Sequence, residues 1–414
     1  MDRGHRTRFP LAAHGRGPGA VPTFHRHAVL RSAVLVSVLA SGCAASPPDP
    51  VPVTDNPVLV MNPSTTPGVV GSYAIHPEAG HTISMTIADD AVWVVAQRIR
   101  PTGRHSLPRD IVSKINPDAN LLTQLLFSTG WEGEIAVGEG AVWLASGYGD
   151  TRVLRIDAST GNVVATIRVE GSPLCLAVGE GAVWAFASHI ESTGIRGNRV
   201  GWSIQRIDPN TNAIVNSLLL PEEEPWVGYG TKGFGFKSRP CNLVTGEGSI
   251  WVAHPRDGTV HRIDPHSNRI AATIASVDVA DRRDFFWFHS VVSAGRAIWV
   301  VARERDRARE DGLGALTVWR IDPATNRVDG EPFRVRPGVV FAFDDDGLWI
   351  GDVTQGIVSR ADPRTFAPIG SPINVGHPIQ FLAAGRGMVW AVGRPADRDS
   401  ARRITRLAPT GTHP

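Results

Sequence analysis

The sequence predicts an all-β chain folded as a seven-bladed β-propeller with four-stranded blades, and two repeated motifs carry that expectation. The first is Ala-Val-Trp or a close variant, with its tryptophan at Trp93, Trp143, Trp184, Trp251, Trp299, Trp349 and Trp390. The second is a turn motif that follows every copy. It reads Lys114-Ile-Asn-Pro117, Arg155-Ile-Asp157, Arg206-Ile-Asp-Pro209, Arg262-Ile-Asp-Pro265, Arg320-Ile-Asp-Pro323, Arg360-Ala-Asp-Pro363 and Arg406-Leu-Ala-Pro409 in turn. Self-similarity at a period of about 40 residues marks a repeat architecture in which one supersecondary unit recurs.

The second repeat shows the unit most cleanly. Ile135-Ala-Val137 is a short apolar strand, Gly138-Glu-Gly140 a tight turn and Ala141-Val-Trp-Leu-Ala145 a second strand. Val153-Leu-Arg-Ile156 is a third strand, Asp157-Ala-Ser-Thr-Gly161 a turn, and Val163 to Val169 a fourth strand. Glycine at the first turn supplies the positive φ that two-residue hairpins need. Aspartate starts the second by accepting hydrogen bonds from the amides that follow it. No helical periodicity appears, and four antiparallel strands per unit make a propeller blade. A residue type present in every blade serves blade packing, so the seven tryptophans and the turn aspartates are structural. Asp344-Asp345-Asp346 aligns with Gly138-Glu139-Gly140 and is likewise a turn.

The ends support a closed ring. After Trp390 one strand remains, Arg403 to Leu407, so the last blade lacks its fourth. An apolar segment, Gly68 to Ile75, precedes the first blade. Pairing the two removes two open sheet edges, which are otherwise a liability.

Before the ring, residues 1–42 hold six arginines and a single acid, Asp2, followed by a short apolar run ending Leu39-Ala-Ser-Gly-Cys43. A run of about nine apolar residues is too short to span a bilayer, which takes roughly 20. The order basic, apolar, small is that of a secretion signal. The ending resembles a bacterial lipobox, with Cys43 as the acylated residue. The chain therefore divides into a lipoprotein-type signal at 1–42, a Pro-rich tether at 43–67 and the propeller at 68–414. The expected address is the bacterial cell envelope, secreted and held to the membrane through the lipid alone. Beyond the leader, 36 basic residues face 39 acidic ones. That balance gives no general attraction to nucleic acid.

Insertions distinguish the two faces of the ring. Trp143 to Trp184 and Trp349 to Trp390 are both 41 residues apart, whereas the other intervals are 50, 67, 48 and 50. The excess falls at Gln97–Asp110, His189–Ser203 and Arg303–Thr317, between second and third strands, and at Pro221–Pro240 and Val277–His289, after fourth strands. In an up-and-down blade both connections lie on one face. Loops carry function while the scaffold carries packing, so the decorated face is the working one.

Residues that are not repeated are the candidates for function. Counting back from each tryptophan places His81, Trp131, Glu134, Pro173, Cys175, Asn242, His289 and Gln380 at the starts of the inner strands, with His377 one step outside. No pair has metal-ligand spacing. Two insertions are aromatic and enter consecutive blades. One brings Trp226, Tyr229, Phe234 and Phe236, and the other Phe286 and Trp287. Rings beside Arg, Lys and Asp suit a sugar, peptide or cyclic apolar ligand, and the expected partner is a protein, peptide or sugar. The glycine-rich part is no phosphate loop, because no Gly-Lys-Ser/Thr follows it. Cys175 and Cys241 begin neighbouring inner strands on opposite sheet faces, pointing either towards or away from each other, and an oxidising compartment would allow a disulfide between them.

The unit "xLAVGEGAVWVA…VxRIDPxTNxVVATI", from about residue 68 to 410, resembles the bacterial YVTN-type and virginiamycin B lyase-like β-propellers. The resemblance implies the fold and carries no activity of its own. With the envelope address and the decorated face, the chain reads as a lipid-anchored extracytoplasmic ligand- or protein-binding module with no cofactor. As an alternative, the virginiamycin B lyase-like resemblance implies a metal-assisted lyase or hydrolase, with Mg²⁺ (or Ca²⁺) and a histidine on the decorated face. His289 and Glu134 are then the nearest candidates for catalysis.

Overall fold

The computed structural model describes residues 51–52, 62–63, 67–75, 79–88, 91–98, 109–118, 121–128, 133–147, 149–192, 198–221, 242–254, 258–275, 287–305, 313–344, 347–385, 387–393 and 402–408. Among them every regular element is a strand. Seven antiparallel sheets form, and six follow directly along the chain. The inner strands, one per blade, are Ala79–Ala88, Glu134–Gly138, Ser172–Gly179, Leu243–Gly246, Trp287–Ala294, Val339–Asp344 and Ile379–Gly385.

The seventh blade draws on both ends of the chain. Val69–Ile75 pairs with Arg402–Leu407, in register from Val69 opposite Leu407 to Ile75 opposite Arg402. The expected closing strand therefore seals the ring. Two short strands from the Pro-rich segment extend the sheets further. Val51–Pro52 lies against Leu125–Leu126 on the outer edge of blade one, and Asn62–Pro63 against Gly71–Ser72 on the outer edge of blade seven.

Each blade is sandwiched between its neighbours because alternate residues of a strand face opposite sides of the sheet. On the middle strand of blade two, Val142 and Leu144 pack with Trp93 and Val95 of blade one, while Trp143 and Ala145 pack with Leu176 and Val183 of blade three. Seven such apolar clusters fill the seven junctions.

The two sequence motifs meet in one device. The Trp143 indole N–H donates to the Gly138 carbonyl at 3.1 Å, closing the first turn, and Trp184, Trp251 and Trp299 do the same in their blades. In blade six the acceptor is the Asp344 carboxylate, at 3.0 Å. The motif arginine lies over the ring, with the Arg155 guanidinium 5.3 Å from the Trp143 ring and that of Arg262 5.2 Å from Trp251. It then reaches the next blade. Arg155 donates to the Pro209 carbonyl at 2.6 Å and Asn212 Oδ1 at 2.9 Å, and Arg262 repeats this with Pro323 and Asn326 at 2.8 and 2.9 Å. Asn212 and Asn326 adopt the left-handed conformation that ends the turn, with φ of 56° and 55°. The motif aspartate starts the same turn. Bonds from Ser159 and Thr160 hold Asp157 down at about 2. The repeated Arg-Ile-Asp-Pro-x-Thr-Asn is thus a clasp between blades.

Candidate functional site

The insertions lie on one end of the ring, and they alternate around it. In blade three the second and third strands, Ala182–Ser192 and Asn198–Asp208, run in register for ten pairs. In blades two, four and six the equivalent ladders hold four. The blade-five hairpin runs from Ala297–Arg305 into Leu313–Asp322, and the blade-one hairpin from Ala91–Arg98 into Arg109–Asn116. Odd-numbered blades one, three and five therefore stand taller than their even-numbered neighbours. The aromatic segments, within 222–241 and 276–286, lie outside the described residues and in the chain join blade three to short blade four and blade four to blade five.

A second asymmetry marks the same end. The inner strands of blades one, three, five and seven carry a bulge ten residues before the motif tryptophan. Leu174, His289 and Gln380 are the unpaired residues, between Pro173 and Cys175, Phe288 and Ser290, and Ile379 and Phe381. Blade one has its bulge between Thr82 and Ser84, and a further irregularity between Ala79 and Thr82 that spans His81. Bulges concentrate at the rims of closed sheets and beside binding sites, where they re-aim a strand end. Two of the candidates chosen from the sequence, His289 and Gln380, are bulge residues.

Not all the strand-start residues share one surface. Residues nine before each tryptophan are Glu134, Cys175 and Asn242, and they lie on sheet faces turned towards the next blade. Glu134 shares its face with Ala136, which packs with Leu176 of blade three. Cys175 lies in the cluster with Leu243 and Val252 of blade four. Cys175 is disulfide-bonded. Asn242 accepts a backbone bond from Ala253 at 2.9 Å, and its buried side-chain Oδ1 has no partner.

Glu134 keeps partial access to water, yet protein crowds its carboxyl closely and burial pushes it well above the usual carboxylate range. Such a group keeps its proton to a higher pH than an ordinary carboxylate and, while protonated, can donate a hydrogen bond. Because the folded-state pKa lies above the unfolded one, the stability it contributes is present in acid and lost as pH rises through the folded pKa. Glu134→Gln is therefore expected to raise the melting temperature near pH 7 and to leave it unchanged near pH 4. Paired thermal melts across that range check this, and an unchanged or lower melting temperature at pH 7 refutes it.

His377 is held as a wedge. Its Nε2 pairs with Thr405 Oγ1 at 2.9 Å and its Nδ1 lies 3.2 Å from the Pro378 carbonyl. A Cβ on Gly393 would fall 2.6 Å from Nδ1, so glycine there makes room for the ring. Burial lowers the imidazole pKa, so the ring is neutral at physiological pH. A related histidine escaped sequence reasoning. His189 Nε2 bonds Ser203 Oγ at 2.7 Å, Gln205 donates to that oxygen at 3.1 Å and to the Glu170 carbonyl at 2.6 Å, and the Glu170 amide returns to Gln205 at 2.9 Å. Ser203 and Gln205 are fully buried, so this chain of bonds fastens blade two to blade three. The only advance signal was the position of Ser203 and Gln205 just before the Arg-Ile-Asp motif.

Trp131, Trp226, Tyr229, Phe234, Phe236, Phe286, Cys43 and Cys241 lie outside the described residues, and of His81, Trp287 and His289 only the backbone is described. Among the described residues no three His, Cys, Asp or Glu groups converge to hold a metal ion. Glu134 and His289 stand on blades two and five, as far apart as a seven-blade ring allows. Glu134 lies on a face turned into the cleft with blade three, which does not fit an Mg²⁺ site shared with blade five.

Comparison with known proteins agrees with the architecture. No protein-family pattern matches the chain, and no curated sequence matches it. Solved structures do. The WD40 domain of Neurospora crassa Pan2 superimposes with a TM-score of 0.51 at 14% identity, covering 86% of this chain and 99% of that one. The β-propeller domain of Myceliophteria thermophila Cps50 (Swd1) gives 0.52 at 10% identity, covering 81% and 98%. A chain of the Mitotic Checkpoint Complex gives 0.50 at 12% identity, covering 92% and 100%. The chain is a seven-bladed β-propeller. At these identities the likeness speaks for the fold alone.

Proposed function

We propose that this propeller is a lipid-anchored, extracytoplasmic binding module of the YVTN-like type, engaging a protein, peptide or sugar through its decorated face. One observation carries the reading. The tall hairpins, the inner-strand bulges and the aromatic insertions share one end of the ring, while the other end has only short turns held by the arginine clasp. A scaffold without a ligand has no need of that difference. A photo-crosslinking residue at exposed Thr151, on the decorated rim, is expected to capture a partner in the cell envelope, and one at Asn210, in a turn of the plain face, to capture none. Trp226→Ala and Trp287→Ala should each weaken the captured complex by about 2 kcal/mol, since buried tryptophans dominate interface energetics. Equal capture from both faces, or unchanged affinity in both variants, would refute the assignment.

The anchor and the disulfide are linked through the cysteine count, because Cys175 can bond only Cys43 or Cys241. The reading assigns Cys241. It lies two residues before Leu243, which packs in the cluster that contains Cys175, and shares that residue's strand parity. Cys43 is then left for acylation. A peptide map under non-reducing conditions is expected to join Cys175 to Cys241, and Cys43→Ser to move the protein from the membrane to the soluble fraction. A Cys43–Cys175 peptide would remove the lipoprotein reading. The bond should contribute roughly 2–4 kcal/mol, the usual worth of an unstrained disulfide.

A further inference from the structure

The outer edges of the blades are not alike. A sheet edge leaves a row of N–H and C=O groups to which another strand can add, and folded proteins blunt it with charge, proline, interruption or a covering strand. Blades one and seven are covered, by Val51–Pro52 on Leu125–Leu126 and by Asn62–Pro63 on Gly71–Ser72. Exposed Arg168 ends the outer strand of blade two, and exposed Arg269 begins that of blade four. In blade five the edge is broken into Arg327–Val328 and Phe333–Val335. In blade six the strand Pro368–Asn374 holds two prolines. Among the described outer strands, that of blade three alone has none of these devices. It runs Ala213–Leu219 and reads Ala-Ile-Val-Asn-Ser-Leu-Leu. The bulge at Val215 does not set it apart, because blades two and four have theirs at the same place.

This edge also shows apolar surface to water. Val215 is 50% exposed and Leu219 is 69% exposed, the highest value for any large apolar side chain among the described residues. Leu218 and Leu220, which flank Leu219, pack into the cluster shared with blade four and fix the strand in place. The backbone points the same way as the exposed side chains. The Leu220 N–H turns inward, to the Trp202 carbonyl at 2.9 Å. Direction alternates along a strand, so Ser217 and Leu219 turn their N–H and C=O groups outward.

We propose that the outer edge of blade three is a dimerisation surface, to which the same strand of a second copy adds antiparallel about a two-fold axis at Ser217. A two-fold interface sets a surface against itself, so it requires a strand that matches its own reverse. Ala213–Leu219 does. About Ser217, Leu219 of one copy stands opposite Val215 of the other, on one face of the joined sheet. The most exposed apolar side chains thus cover each other, and hydroxyl meets hydroxyl at the centre. Like charges directly opposite each other would repel, and this strand has no charge to oppose. The ring already takes added antiparallel strands at the edges of blades one and seven. Antiparallel pairing sets two rings side by side with their decorated ends pointing opposite ways, so each dimer presents one at either end. Seven residues run about 24 Å. A contact of that length is small for a specific interface, so the dimer exchanges with monomer.

The test uses the full chain carrying Cys43→Ser, so that neither acylation nor that thiol contributes. Sedimentation equilibrium is expected to show monomer and dimer in proportions that follow concentration. Leu219→Lys and Val215→Lys should each weaken the dimer about tenfold or more, since a symmetric interface carries every change twice. Val164→Lys, at the matching bulge of blade two, should leave it unchanged. Equal melting temperatures in the three variants show that the ring itself is intact. Ser217→Cys places two thiols across the axis with Cα atoms about 5.5 Å apart, within ordinary disulfide reach. Mild oxidation should therefore give a covalent dimer. Thr166→Cys, at the corresponding place on blade two, should give none, and neither should the parent. A monomer at every concentration up to about 1 mM would overturn the proposal. So would a dimer that both lysines leave intact, or equal crosslinking from Thr166→Cys.

Discussion

Deleting residues 68–75 is expected to abolish a soluble monomeric product. These residues include the outer strand of blade seven, and their removal strips Arg402–Leu407 of its neighbour from Val69 to Ile75. Tyr73 and Ile75, each 1% exposed, leave the core shared with blade one. Burying one large apolar side chain contributes about 1.5–3 kcal/mol, so these two alone are worth roughly 3–6 kcal/mol. That approaches the whole net stability of an ordinary domain, about 5–15 kcal/mol. The freed edge also offers unpaired backbone groups to other chains. Size-exclusion chromatography and recovery from the soluble fraction check the outcome. A monomer with an unchanged melting temperature would mean that blade seven closes by other residues.

Closure was readable in the sequence because strand pairing leaves an arithmetic trace: seven tryptophans, six complete units and one segment left over at each end. The clasp was only half readable. The spacing showed that Arg155 and Asp157 recur together, but the partners of Arg155 are Pro209 and Asn212, 54 and 57 residues away, which only the stacking of consecutive blades brings near. The rim was harder to read. A bulge inserts one residue and reverses the facing of everything before it, so counting back from Trp299 or Trp390 finds His289 and Gln380 but not the irregularity that sets them apart. The same count put Glu134 and Cys175 at one channel mouth, whereas their sheet faces turn into the clefts with the next blade. The His189–Ser203–Gln205 chain left almost no trace, since His189 stands on a different strand from Ser203 and Gln205 and the trio recurs in no other blade.

The other large effect is expected from Trp251→Ala. Trp251 is fully buried, donates to the Gly246 carbonyl at 3.0 Å and lies beneath the Arg262 guanidinium. Removing a buried tryptophan costs about 3–5 kcal/mol through lost burial and the cavity left behind. Here the loss should fall at the upper end, because the ring also positions Arg262. That arginine is fixed by Ser249 Oγ at 2.8 Å and from there reaches Pro323 and Asn326 in blade five. With the indole gone, the guanidinium loses its cation–π contact and its stem gains room to leave the clasp. Trp251→Phe keeps most of the burial and removes the N–H donor, so its cost should be smaller by at least half. Arg262→Met keeps the stem and removes the clasp, at about 1.5–3 kcal/mol for bonds made by a charged group. Because indole and guanidinium act together, the Trp251→Ala/Arg262→Met double variant should lose less than the sum of the single losses. Denaturant unfolding of the four proteins measures that difference. Strict additivity would show that the tryptophan fills space in blade four and contributes nothing to holding blade five.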